Sequence, residues 1–133
     1  MTYYNWIEIS DFPNKGDYYG GDVLAWYAHP GSGLHGSLVN HRIRPGEIFL
    51  TRMHDKDSHY FFDQVSSGDP VPNARFIKQV TRDDGSDSIM YNYVASVEDL
   101  IFYSALTRTE NGGAVEDVRL KYQRIEIKQD YSG

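Results

Sequence analysis

One stretch limits the fold of this chain more than any other. Ser58-His-Tyr-Phe-Phe-Asp-Gln-Val-Ser-Ser-Gly68 is the single place where a helix is better supported than a strand. Ser58 can cap its first turn, the hydroxyl accepting from a free amide. Gly68 stands where the chain must turn left-handed at no Cβ penalty. Between them Phe61, Phe62 and Val65 fall at i, i+1 and i+4 and mark an apolar stripe. A helix this short is unstable alone, so all three side chains are expected to pack on a sheet. Everything before and after reads as β, which makes the expected fold class mainly β, with one short flanking α-helix.

The strands follow from alternation and from breakers. Tyr3 to Ser10 is aromatic and β-branched, and Pro13 and Gly16 end it in a turn. Asp22 to Ala28 and Glu47 to Met53 are the next two strands. Asp69 to Asn73, with two prolines, reads as a rigid turn. Ala74–Arg82 and Ser88–Ala95 flank Gly85 as a β-hairpin. Asp99–Leu106 continues the meander, and Glu110–Gly113 is a loop of turn formers. In the closing strand, Ala114 to Gln129, the apolar set shifts from Val118, Leu120 and Tyr122 to Ile125 and Ile127. That slip predicts a β-bulge near Gln123–Arg124. Between His29 and His41 three glycines and Pro30 exclude both a helix and a continuous ladder, leaving a long protruding loop.

A chain of 133 residues is most simply one domain, here residues 1–133, able to bury about two thirds of its unfolded surface. Tyr and Phe are abundant, which favours strands over helices. The absence of cysteine removes disulfides and thiolate metal sites. A net charge of −6 argues against nucleic acid as a partner, since that binding is dominated by neutralised phosphate. No apolar run approaches the ~20 residues that span a bilayer, so no membrane insertion is expected. Met1 to Trp6 lacks a basic segment followed by an apolar core, so no cleaved signal peptide is expected.

Catalytic chemistry finds little support. Of the five histidines, at 29, 35, 41, 54 and 59, a metal-site reading picks His54 and His59 with Asp55 and Asp57, and their spacing matches no strong signature. Polar residues beside a helix start are the plainer reading. Asp83–Asp87 hints at a calcium loop, but Val94 stands where the bidentate Glu belongs. Gly31-Ser-Gly33 lies near His35 without the strand-to-helix context of a nucleophile elbow. Glu98 and Asp99 are adjacent in a strand and point to opposite faces, so they cannot act as an acid–base pair. No catalytic residue, cofactor or metal is therefore assigned. Three functions stay open: an assembling structural subunit, a small β-barrel with Trp26, Tyr27, Tyr91 and Tyr93 lining a ligand pocket, and a histidine-dependent metalloenzyme.

The second half carries an order of features that resembles a known family. Asp55-Lys-Asp-Ser58 leads into the helix, which ends at Ser67-Gly68; the Ala74–Arg82 strand, the charged hairpin Asp83–Asp87 and two further strands follow. The close is Leu120-Lys-Tyr-Gln-Arg-Ile-Glu-Ile127. This resembles the haemolysin-coregulated protein family, the tube component of bacterial type VI secretion systems. The likeness is good over Thr51 to Tyr131 and weaker over the first 50 residues. Ser58-His59 departs from the family's usual Ser-Pro, and Ile127 stands in place of its tryptophan.

The resemblance implies a two-sheet β-barrel with the helix on its flank. It further implies a homo-oligomer, six copies closed into a ring and rings stacked into a hollow tube that works with sheath, spike and effector proteins. Such a protein is assembled in the bacterial cytoplasm and secreted without a cleaved signal peptide. Polar Arg75, Lys78, Gln79 and Thr81 on strand faces suit a lumen wall. A tube protein of a related contractile injection machine or a phage tail is the alternative the departures leave open. In the family the loop after the second strand reaches toward the next ring. Here that role falls to His29, Pro30, Gly31, Gly33, Leu34, His35, Gly36, Leu38, Val39 and His41. The leucines and valine would supply apolar contacts, and the glycines would allow close backbone approach.

Overall fold

The computed structural model describes residues 2–31, 46–83 and 89–131. The elements are β1 (Thr2–Phe12), β2 (Asp17–Asp22), β3 (Ala25–His29), β4 (Gly46–Met53), α1 (Ser58–Ser67), β5 (Val71–Thr81), β6 (Ile89–Glu110), β7 (Gly113–Tyr122) and β8 (Arg124–Tyr131). All strand pairs are antiparallel. β2, β1, β5, β6 and β8 form a first sheet, and β6, β7, β4 and β3 a second. Inward residues of both sheets, among them Ile7, Ile9, Phe76, Ile48, Leu50, Val118 and Leu120, meet in one buried core. The chain is mainly β with two sheets and one flanking helix, but the ladder does not close into a barrel. β2 and β3 end the path and do not pair with one another.

β6 belongs to both sheets. It pairs with β8 up to Glu98 and with β5 up to Leu100, and from Ile101 it pairs with β7. The corner falls at Asp99, whose φ of +56° lets the strand change direction. The two strands expected at Ser88–Ala95 and Asp99–Leu106 are thus one bent strand. Its partner bends with it. β7 stops at Tyr122 and β8 starts at Arg124, while the Gln123 amide donates to the Glu98 carbonyl (3.2 Å). The apolar phase slip is therefore a change of sheet rather than a bulge within one strand. Between β6 and β7 the expected loop is a tight two-residue turn, Asn111-Gly112, with φ of +50° and +79°. Asn-Gly adopts that primed geometry more readily than other pairs.

Two further boundaries differ from expectation. The strand placed at Asp22–Ala28 breaks at Val23–Leu24, where the chain crosses from the first sheet to the second. There the Val23 amide donates to Asn5 and that of Leu24 to Thr51. The rigid turn at Asp69–Asn73 is shorter, because β5 already begins at Val71. Pro72 is tolerated there since β1 pairing stops at Asn73, so no ladder donor is required of it.

Helix α1 covers one end of the core. Phe61 is fully buried against Phe12 (5.4 Å between centroids), Tyr19 (5.2 Å) and Phe102 (6.0 Å). Val65 packs partly against the same cluster. Phe62 does not; it is 63 % exposed. The buried stripe runs through Ser58, Phe61 and Gln64. Gln64 takes the inward place because it bonds the Asp69 carbonyl and accepts from Asn14 Nδ2 (2.9 Å), satisfying polar groups no apolar side chain could serve. Gly68 ends the helix left-handed (φ +68°), its amide donating to Gln64 O. Ser58 is not the cap: Asp57 holds that position without a side-chain capping bond.

Candidate functional site

Ser58 is occupied elsewhere. Its Oγ accepts from the Asp55 amide (2.9 Å) and from Arg52 Nη1 (3.2 Å). Arg52, on β4, is 1 % exposed and also donates to Glu116, to Tyr19 Oη (3.0 Å) and to Asp55 Oδ1 (2.9 Å). Its guanidinium lies 4.5 Å over the Phe61 ring. Burial works against the charge, but the bond to Glu116, together with Tyr19 and Asp55, holds the guanidinium pKa above its ordinary value. Burial likewise pushes Asp55 up, and the bonds from Arg52 and the Asp57 amide outweigh it, so its carboxyl sits below the usual range. This hub ties β2, β4, β7 and the helix start together. Sequence reasoning missed it, although Arg52 shares the inward parity of Ile48 and Leu50.

The histidines beside the hub do not join it in a metal site. The His54 amide donates to the Ala114 carbonyl, and His59 Nδ1 lies 2.9 Å from the Lys56 carbonyl. Among the described residues no three His, Cys, Asp or Glu side chains come together as ligands. Glu98 precedes the corner of β6 and Asp99 forms it, in the left-handed region.

Of the loop residues singled out above, His29, Pro30 and Gly31 are described; Gly33, Leu34, His35, Gly36, Leu38, Val39 and His41 lie outside the described residues. The two roots of that segment are anchored by one side chain. Tyr122 Oη donates to the His29 carbonyl (3.2 Å), and its ring fills the space a Cβ on Gly46 would take.

Three surfaces differ in chemistry. The outer face of the second sheet holds a cross-strand row, Tyr27–Phe49–Arg119–Ser104. Tyr27 stacks on Phe49 (4.8 Å, 14°) and Arg119 lies 5.0 Å over that ring, with exposed Leu106 nearby. Aromatic rings with arginine are the composition enriched at interfaces. The outer face of the first sheet is polar and of mixed charge, with a Glu8–Arg75–Ser96–Glu126 row and an Arg75–Glu8 ion pair of 2.9 Å. Arg75 and Gln79 share that face, whereas Lys78 points to the other. Among the described residues β2, β3 and β8 each pair on one side only, leaving open edges.

The four aromatic residues assigned above to a pocket do come together. Trp26, Tyr27, Tyr91 and Tyr93 line a shallow recess of about 240 Å³ with Ala28 and Lys78. Trp26 is buried, its Nε1 donating to the Ile77 carbonyl (3.0 Å), and its ring lies 5.8 Å from that of Tyr93. Lys78 shares the inward parity of Ala74 and Phe76, the one sequence signal that would have found it.

No protein-family model matches the chain, and no curated protein gives a significant match. Solved structures do. The secreted protein Hcp3 from Pseudomonas aeruginosa superposes with a TM-score of 0.66 at 15 % identity, over 99 % of each chain. Hcp1 from Salmonella typhimurium gives 0.63 at 18 % identity, over all of this chain and 88 % of its own. The baseplate structure of the anti-feeding prophage gives 0.57 at 8 % identity, over 96 % of this chain and 94 % of the matched one. From β1 to β8, this chain carries the fold of the haemolysin-coregulated proteins.

Proposed function

We propose that the chain is a structural, non-catalytic subunit that closes into six-membered rings and that these rings stack as the inner tube of a type VI secretion system. It would be exported with effectors or carrying them. The observation that supports this most is the mutual, end-to-end coverage with a secreted protein of that fold. The polar outer face of the first sheet suits a water-filled lumen. The aromatic–arginine row and the open strand edges suit contacts between copies. Sheath and spike proteins are the further partners this reading implies, and the bacterial cytoplasm is the place of assembly.

Light scattering after size exclusion, with negative-stain imaging of the same fractions, tests it. The expected species has six times the 15.3 kDa protomer mass and appears as rings with a central hole. A monomer at every concentration would overturn the reading. The likeness to the prophage baseplate favours a second assignment, to a related contractile injection machine. Co-purification with sheath components from one apparatus or the other separates the two.

A further inference from the structure

We propose that the recess formed by Trp26, Tyr27, Lys78, Tyr91 and Tyr93 binds a small single-ring aromatic carboxylate, with Lys78 Nζ as its anion contact. The inference is independent of the tube reading. It rests on a mismatch of charge beside a cluster of aromatic rings. Lys78 Nζ lies 4.6 Å from the Trp26 ring, and no carboxylate of the described residues pairs with it. Burial pushes its amine down from the ordinary lysine value, and no nearby anion opposes that shift. A partly desolvated cation without an anion is costly to hold. The Trp26 π face softens that cost but leaves the charge uncompensated.

A carboxylate would complete the arrangement, adding a charge-assisted hydrogen bond to an ammonium whose one ring contact is Trp26. The walls specify the rest of the ligand. Tyr91 and Tyr93 lie 6.3 Å apart and nearly parallel (25°), and Tyr131 flanks Tyr91 at 4.8 Å. Such rings favour another ring, offset or edge-on, over an alkyl chain. A volume of about 240 Å³ falls below the ~300 Å³ at which drug-sized pockets begin, which suits a guest of one ring.

Phenylacetate and its neutral isostere phenylacetamide provide the test on the purified full chain, by calorimetry and by tryptophan fluorescence, to which Trp6 and Trp26 both contribute. Phenylacetate should bind saturably and at least tenfold more tightly than the amide. Lys78→Met should abolish that preference while leaving the thermal melt unchanged or higher. In the unaltered chain, chemical-shift changes on binding should centre on the Trp26 indole and the tyrosine rings, a readout that does not depend on the variant folding. Absence of saturable binding, equal affinity for acid and amide, an acid preference that survives in Lys78→Met, or shift changes centred elsewhere would each overturn the proposal.

Discussion

Phe61 and Phe62 are neighbours in sequence and opposites in energy. Phe61 is enclosed by Phe12, Tyr19 and Phe102, so Phe61→Ala should cost on the order of 3–5 kcal/mol in urea melts. Phe62 points to solvent, and Phe62→Ala should change protomer stability by no more than about 0.5 kcal/mol. If Phe62→Ala instead blocks assembly while the protomer melts normally, that helix face is a contact between copies. Asp55 supplies a pH test. Its carboxyl pKa lies below the unfolded value, so the stability it contributes is present at neutral pH and lost as pH falls from the unfolded pKa through the folded one. Asp55→Asn should therefore lower stability at pH 7 and flatten the loss below about pH 5, read as melting temperature against pH. The hub around Arg52 was illegible for a simple reason. Sequence parity places Arg52 inward, but Tyr19, Asp55 and Glu116 come from separate segments that only the fold brings to it.

At the level of elements, alternation revealed most strands, and Gly68 revealed the helix end. Their joints were harder to read. Nothing in the residues around Glu98-Asp-Leu100 announces a corner, because Asp99 adopts a positive φ without being glycine. The prediction here concerns strain. A non-glycine residue in the left-handed region costs roughly 1–2 kcal/mol, somewhat less for Asp. Asp99→Gly should thus stabilise the chain by up to about 1 kcal/mol, and Asp99→Val, whose branched Cβ resists that region, should destabilise it in the same denaturant titration. The apolar slip at Gln123–Arg124 was visible in the sequence, but its meaning was not. A bulge and a sheet change shift the phase alike, and only the pairing of β8 with the first half of β6 tells them apart. The recess was half legible. Its four aromatics were grouped from sequence, while Lys78 passed as a lumen residue until the fold placed it beside Trp26.

Across the whole molecule, open strand edges and exposed aromatics are left without a partner strand or cover among the described residues. We propose that the segment rooted at His29 and Gly46 carries the contact between rings. Replacing Leu34–Val39 with a Gly-Ser linker of equal length should leave single rings intact in negative stain and prevent their growth into tubes. Tubes formed as readily as by the parent would defeat that assignment. The bent hairpin has a consequence for the order of folding. Its Asn111-Gly112 turn joins Glu110 to Gly113, yet the pairs that follow continue, past an irregularity between Phe102 and Ser104 and the corner at Asp99, as far as Tyr91↔Tyr131, crossing from one sheet into the other. A nucleus at the turn can therefore zip outward, each pair closing only a small additional loop, so that a long-range sheet junction is reached through local steps. Substitutions near Thr109 and Ala114 should slow refolding, while those near Tyr91 and Tyr131 should mainly hasten unfolding, a gradient that stopped-flow chevrons would resolve along a single hairpin.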